Sequence, residues 1–421
     1  MRFDGPMNLA RWVIWGTATL IIAVLPLVFT QSFAITFMSQ IGTFTIFALA
    51  YNMLLGQGGM LSFGHAVYSG LGAFFAIHAL NMMGKGTLAF PVTMLPLIGG
   101  VAGVIFGLLF GYVTTKKSGT TFAMISLGIG EMVFASSLMF PGFFGGEAGV
   151  TTNRVVGQPF LGITYGPGIQ VYYLIAVWAL LCTAAMYAFT QTPLGRMANA
   201  VRDNPERAEF VGYDTQMVRF LTLVVSSFFA GVSGGLSAIN FEIVTGENVS
   251  ALRSGGVLLA TFIGGTGFFF GPIIGSVIFM FFVVALSAYT QAWLFYLGLF
   301  FLLMVLFAPG GMASLIVRHL QLAGTGLLGR LARPYAMATL AGVLMFSALV
   351  GAVEMTYNMS SGGADQTTMT LAGISFEPHS APPWMVVAAL AVAGLLVLAK
   401  TRGMVRDGWD DINDELERRR A

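Results

Sequence analysis

Eleven apolar runs, each closed by a turn or a charged segment, limit this chain to very few folds. They fall at 12–30, 35–55, 66–83, 90–114, 119–140, 170–190, 216–239, 254–288, 292–308, 336–353 and 384–400. A helix needs about 20 apolar residues to cross the hydrocarbon core of a bilayer. Breakers separate the runs, among them Gly84 to Gly86, Pro141-Gly142, Gly166 to Gly168, Pro309 to Gly311 and Pro382-Pro383. The chain is 56% hydrophobic and 9% charged, with mean hydropathy +0.82, whereas a soluble domain of ordinary make-up is about 25% charged. These runs therefore predict an all-α polytopic membrane protein, with the 54 glycines allowing helices to approach closely.

The basic residues track loops and form no patch, so nucleic acid is not expected as a partner; membrane lipid is. The lone Cys182 excludes an intrachain disulfide and any multi-cysteine metal site. His65, His78, His319 and His379 are scattered, and neither HExxH nor GxxxxGK[ST] occurs. No catalytic residue, metal or cofactor is expected, and the chain has no motif for hydrolysing ATP itself. The first run lacks a cleavage site and reads as a retained anchor.

The run 254–288 is too long for one straight crossing, and its middle, Gly264 to Pro272 (GGTGFFFGP), should break a helix. Lys and Arg favour cytoplasmic loops. With segment 191–219 inside, two crossings of 254–288 leave 17 of the 20 Lys and Arg inside and only Lys85, Arg154 and Arg253 outside. A single crossing would leave 8 inside and 12 outside. The expectation is twelve spans with both termini cytoplasmic. The external 354–383 reads as a mobile loop, and the tail from Trp409 as a short surface helix.

Three stretches interrupt the apolar pattern. Tyr51 to Ala73 (YNMLLGQGGMLSFGHAVYSGLGA) mixes glycines with Asn52, Gln57, Ser62 and His65. A helix unwound there could line a translocation pathway, or its glycines could serve packing while Gln57 and His65 bond within the bundle. A loose echo stands at Gly264 to Gly275 in the other half. Glu131, within SLGIGEMVFAS, is expensive in a membrane and should face the interior or water with a partner; a pathway role and a structural hydrogen bond stay equally open. The external GGEAGVTTNR, containing Thr152 and Asn153, reads as an ordinary loop, a substrate gate or a docking surface.

The third stretch, 191–219, holds four of the twenty basic residues and four of the eighteen acids. Pro193 and Pro205 suit the first turns of a helix pair, Asn204 suits an N-cap, and Asp203 and Glu206 suit a helix N-terminus.

Glu206-Arg207-Ala208 followed by Gly212 resembles the EAAxxxG coupling loop of ABC importer permeases. Around it, TPLGRMANAVRDNPERAEFVGYDTQMVRFLTLVVSSFFAGVSGGLSA resembles the M-type subunit of the branched-chain amino-acid permeases. NMLLGQGGMLSFGHAVYSGLGA, SLGIGEMVF, GVLLATFIGGTGFFFGPIIGS and LFAPGGMASLI are similar to the same family, from about residue 35 to 317. The resemblance implies an ABC importer permease core of about ten spans with broken helices (1–333), plus a 334–421 extension with two further spans and a cytoplasmic tail. It implies a bacterial inner-membrane location, a second permease subunit, two cytoplasmic ATP-binding subunits and an extracytoplasmic solute-binding protein. Arg202, Asp203, Glu206, Ala208 and Gly212 would couple to the ATPase; Asn52, Gln57, Ser62, His65, Glu131, Thr152 and Asn153 would lie on the pathway. The substrate class is branched-chain amino acids or similar small polar solutes. The alternatives are urea, short amides or aromatic compounds, or an ion-coupled secondary transporter.

Overall fold

Helix follows apolar run throughout. The structure, a computed structural model, describes residues 9–156, 162–361, 368–371 and 373–418. The first helices are α1 (Leu9–Val28), α2 (Ser32–Asn52), α3 (Ala66–Gly84), α4 (Leu95–Thr114), α5 (Gly119–Met139) and the single turn α6 (Pro141–Phe144). After β1 (Val150–Thr151) come α7 (Gly168–Gln191), α8 (Pro193–Asp203), α9 (Pro205–Phe210) and α10 (Thr215–Phe241). Then follow β2 (Ile243–Val244), α11 (Ala251–Gly264), α12 (Gly271–Met280), α13 (Trp293–Phe307) and α14 (Gly311–Thr325). The last elements are α15 (Ala332–Ser361), β3 (Met369–Leu371), β4 (Ile374–Phe376) and α16 (Ala381–Arg418). Among the described residues, nine helices are long and apolar enough to cross a membrane, and ten with the bent pair α13–α14.

The chain divides into two compact units, residues 1–285 with 300–313, and residues 286–299 with 314–421. The core of the first is α10 packed against α3, α4 and the buried second half of α2. Glycine sets how closely α3, α4 and α10 pack. A Cβ on Gly72 would lie 2.7 Å from Gly231 Cα and 2.9 Å from Gly99 O, so a single methyl would push three helices apart.

Run 254–288 breaks where expected. α11 and α12 form an antiparallel hairpin in which Gly256 faces Phe279, Ala260 faces Gly275 and Gly264 faces Gly271. The first arm, α11, has 14 residues, about 21 Å at 1.5 Å per residue, which is short of a full crossing. The twelve expected crossings thus correspond to fewer full-length helices.

In the second unit α15 and α16 pair along their lengths. Glu354 of α15 accepts hydrogen bonds from Thr290 Oγ1 (2.7 Å) and Tyr296 OH (3.0 Å), a local partner for a carboxylate in an apolar helix. Two expectations need correction. The tail is no separate surface helix: α16 runs unbroken for 38 residues, because isolated glycines such as Gly403 and Gly408 do not stop a helix. Its end is held by Ile412 and Trp409 packed against Leu322, Leu327, Leu331 and Tyr335. The stretch 354–383 is not simply a loop: α15 runs on to Ser361, and β3 pairs with β4 in an antiparallel hairpin. Its residues 362–367 and 372, Gly362 and Gly363 included, lie outside the described residues.

Candidate functional site

The polar segment 191–219 folds as the two capped helices its prolines suggest. Pro193 opens α8 behind Thr192, whose Oγ1 accepts from Gly195 N at 3.2 Å. Pro205 opens α9 behind Asn204, whose Oδ1 accepts from Arg207 N at 2.9 Å. Asp214 then caps α10 through Met217 N at 3.0 Å. Three side-chain caps in about twenty residues fix the backbone of a segment with little apolar core of its own. That small core consists of Ala198, Val201, Ala208 and Val218, with Leu194 and Met197 packed against it.

The expected coupling residues divide by position. Ala208 is buried in this core, and Glu206 is exposed on the first turn of α9. Gly212 takes φ +93°, and a Cβ there would meet nothing within 4 Å. Arg202 and Asp203 pair at 2.8 Å on the surface. The sequence reading passed over Phe210 and Val211, which are 90% and 71% exposed at the tip between α9 and Gly212. A Phe-Val pair inside an otherwise charged segment is the signal that could have found them.

Arg202 also points inward. Its Nη1 donates to the carbonyl of Gly56, in the π-helical turn Met53–Gln57 that ends α2. Carbonyls at a helix C-terminus lack intrahelical partners and attract cations. Gly59, at φ +65°, lets the chain pass over this arginine: a Cβ there would lie 2.7 Å from Arg202 Cγ. Behind the same turn stands the second break, because a Cβ on Gly56 would lie 2.5 Å from Thr266 O. The two glycine-interrupted stretches therefore meet, and α8 touches their junction.

From Gly59 the chain runs back beside α2 without regular structure. Its polar groups are satisfied by side chains, as irregular backbone inside a membrane requires. Tyr51 OH donates to Ser62 O (2.9 Å), Phe63 N to Ser126 Oγ (3.1 Å) and Ala66 N to Ser254 Oγ (3.0 Å). His65 is fully buried, stacked on Phe47 at 5.7 Å between ring centroids, with Nε2 at 3.3 Å from Ser226 Oγ. Asn52, Gln57, Ser62 and His65 thus share one region, and Asn52 Oδ1, Gln57 Oε1 and His65 Nδ1 have no partner there.

Thr152 and Asn153 lie elsewhere. They line a cleft of about 560 Å³ with His78, Asn81 and Lys85. β1 pairs with β2, and Arg154 fastens the corner by donating to Tyr165 O (2.7 Å), Gly166 O (3.1 Å) and Asn240 O (3.3 Å) beside Glu242. This corner joins the end of α10 opposite α8 and α9. Glu131 is apart from both groups. It is exposed on α5 in line with Met124, Gly128 and Ala135, away from the buried face of Phe122, Ser126, Gly130 and Val133.

Residues 33–309 match the family described as branched-chain amino acid transport system, permease component. The chain is 25% identical over 300 residues to the Escherichia coli high-affinity branched-chain amino acid transport system permease protein LivM, covering 66% of this chain and 69% of that protein. A probable LivM of Methanocaldococcus jannaschii is 23% identical over 318 residues, covering 64% of this chain and 90% of its own. The Escherichia coli permease protein LivH is 26% identical over 251 residues, 56% of this chain and 79% of that protein. No solved structure matches. With two thirds of its length matched by the family and its capped polar helix pair and paired helix breaks inside the matched region, the chain belongs to the branched-chain amino acid transport permease family.

Proposed function

We propose that this chain is the transmembrane permease subunit of a bacterial ABC importer that carries branched-chain amino acids or similar small polar solutes. A second permease subunit completes the pathway, two cytoplasmic ATP-binding subunits drive it, and an extracytoplasmic solute-binding protein delivers the solute. Relatives named as permeases LivM and LivH of one transport system support the paired permease.

The observation that carries this reading is the α8–α9 pair. It is rigidly capped, it presents Phe210 and Val211 outward, and Arg202 ties it to the break in α2. Exposed large apolar side chains amid charge mark a protein contact. A partner pushing on this tip would move the end of α2 directly. The excess of Lys and Arg on that side supports a cytoplasmic position for it and for both termini. Glu131 faces away from its own bundle, which supports a place for it at the contact with the second permease, where the pathway would run.

The test is reconstitution of both permeases with the ATP-binding subunits in lipid vesicles. Leucine uptake should require ATP and an external binding protein together. Uptake driven by an ion gradient without ATP would replace this reading with the secondary transporter.

A further inference from the structure

Among the described residues of the first unit, Arg253 has a buried side-chain nitrogen with no hydrogen-bond partner. Arg253 stands in the first turn of α11, behind the cap made by Ser250 Oγ and Arg253 N at 3.3 Å. Its Nε is buried without a hydrogen-bond partner, and among the described residues no carboxylate comes within ion-pair distance of its guanidinium. Glu242 is committed to Arg154, and Glu247 on the turn before α11 is exposed. The guanidinium lies over the Phe47 ring at 5.9 Å, and the same ring stacks on His65. The neighbouring Ser254 accepts from Ala66 N, which holds this turn of α11 against the irregular stretch between α2 and α3.

This placement does not stabilise the fold. A cation in the first turn of a helix opposes the helix dipole, and a guanidinium whose Nε is buried without a hydrogen-bond partner is costly. Cation and helix N-terminus together form a strong anion-attracting arrangement. The planar fork of arginine fits a carboxylate in bidentate fashion. We propose that Arg253 anchors the carboxylate of the transported solute inside the permease, beside Phe47 and His65. The inference rests on the transport reading and narrows it: the solutes are carboxylates such as amino acids, and urea and neutral amides are excluded. Arg253 is a specificity-determining residue with no role in powering transport.

The test uses the complete complex of both permeases and the ATP-binding subunits. In vesicles supplied with saturating binding protein, Arg253→Gln should lower ATP-dependent leucine uptake at least ten-fold, with assembly unchanged. Arg253→Lys, keeping charge without the fork, should retain part of the uptake. A second arm measures thermal shift of the detergent-solubilised wild-type complex without binding protein: leucine should stabilise it, and leucinamide and chloride should not. Wild-type uptake without dependence on ATP and binding protein would sink the transport reading itself. Where the wild type transports, uptake by Arg253→Gln at the wild-type level would overturn only the anchor. So would equal shifts with leucine and leucinamide, a shift with chloride of the same size, or a shift with anionic phospholipid alone. If Arg253→Gln fails to assemble, the leucine and leucinamide shifts of the wild type decide.

Discussion

Gly212 offers a way to separate what the coupling tip does for its own chain from what it does for a partner. Its φ is +93°, so any L residue placed there is strained by about 1–2 kcal/mol. Part of that is offset, by about 0.4–1 kcal/mol, because the unfolded chain loses freedom when Gly is replaced. The net destabilisation is about 1 kcal/mol. The size of the new side chain adds nothing within the chain, because a Cβ at this position meets no atom within 4 Å. Gly212→Ala and Gly212→Trp should therefore shift the melting temperature of the isolated permease equally, within about a degree. They should differ only when the ATP-binding subunit is present. Co-purification of that subunit and ATP-dependent uptake in vesicles are the assays. Gly212→Ala should keep most of both, and Gly212→Trp should lose at least ten-fold, about 1.4 kcal/mol of contact, next to Phe210 and Val211. If both variants transport alike, the tip is not a contact surface and the coupling assignment is wrong.

Arg202→Ala removes a charge-assisted bond to Gly56 O from a side chain 38% exposed, a loss of about 1–2 kcal/mol after solvent screening. ATP hydrolysis should then continue with less solute moved per ATP, measured as the ratio of the two rates; an unchanged ratio would show that force does not pass through this bond. Gly56→Ala puts a methyl against Thr266 O and Asn52, an overpacking of about 1–3 kcal/mol at the junction of both breaks. Insertion should be normal and uptake strongly reduced, as quantified by membrane-fraction blotting beside vesicle uptake. Glu354→Ala strands two hydroxyls in the second unit and should cost about 2–3 kcal/mol, seen as a lower melting temperature, with uptake by the folded fraction intact.

Helices were legible in the sequence because a membrane admits few alternatives to them, and apolar length is enough to find them. The starts of α8 and α9 were legible for a similar reason: Pro193 and the Asn204 cap before Pro205 satisfy local backbone rules that need no tertiary context, and the caps by Thr192 and Asp214 follow the same rules. The tail was misread because charge from Lys400 onward marks where the bilayer ends, whereas a helix ends only where its backbone bonding does. α16 continues past its apolar part without unwinding, and Trp409 and Ile412 pack beyond that part. Tertiary proximity was invisible. The echo between 51–73 and 264–275 was a weak pattern on the page, yet the backbones of Gly56 and Thr266 nearly touch.

Arg253 shows why part of a site escapes this kind of reading. The topology count treats every Lys and Arg as a marker of a loop, and by that rule Arg253 was one of three external charges. Its neighbours in sequence, Ser250 and Leu252, fit a loop leading into a helix. What distinguishes it from Arg154, another of the three, is the partner list. Arg154 gathers three carbonyls and a carboxylate and closes a corner. Arg253 gathers an aromatic face, and its buried Nε has no acceptor among the described residues. Burying a charge costs several kcal/mol, so a guanidinium with a buried, unpartnered Nε is the kind of group that an arriving carboxylate would match. That step is available only once every protein carboxylate near it has been accounted for, and no sequence pattern supplies that account.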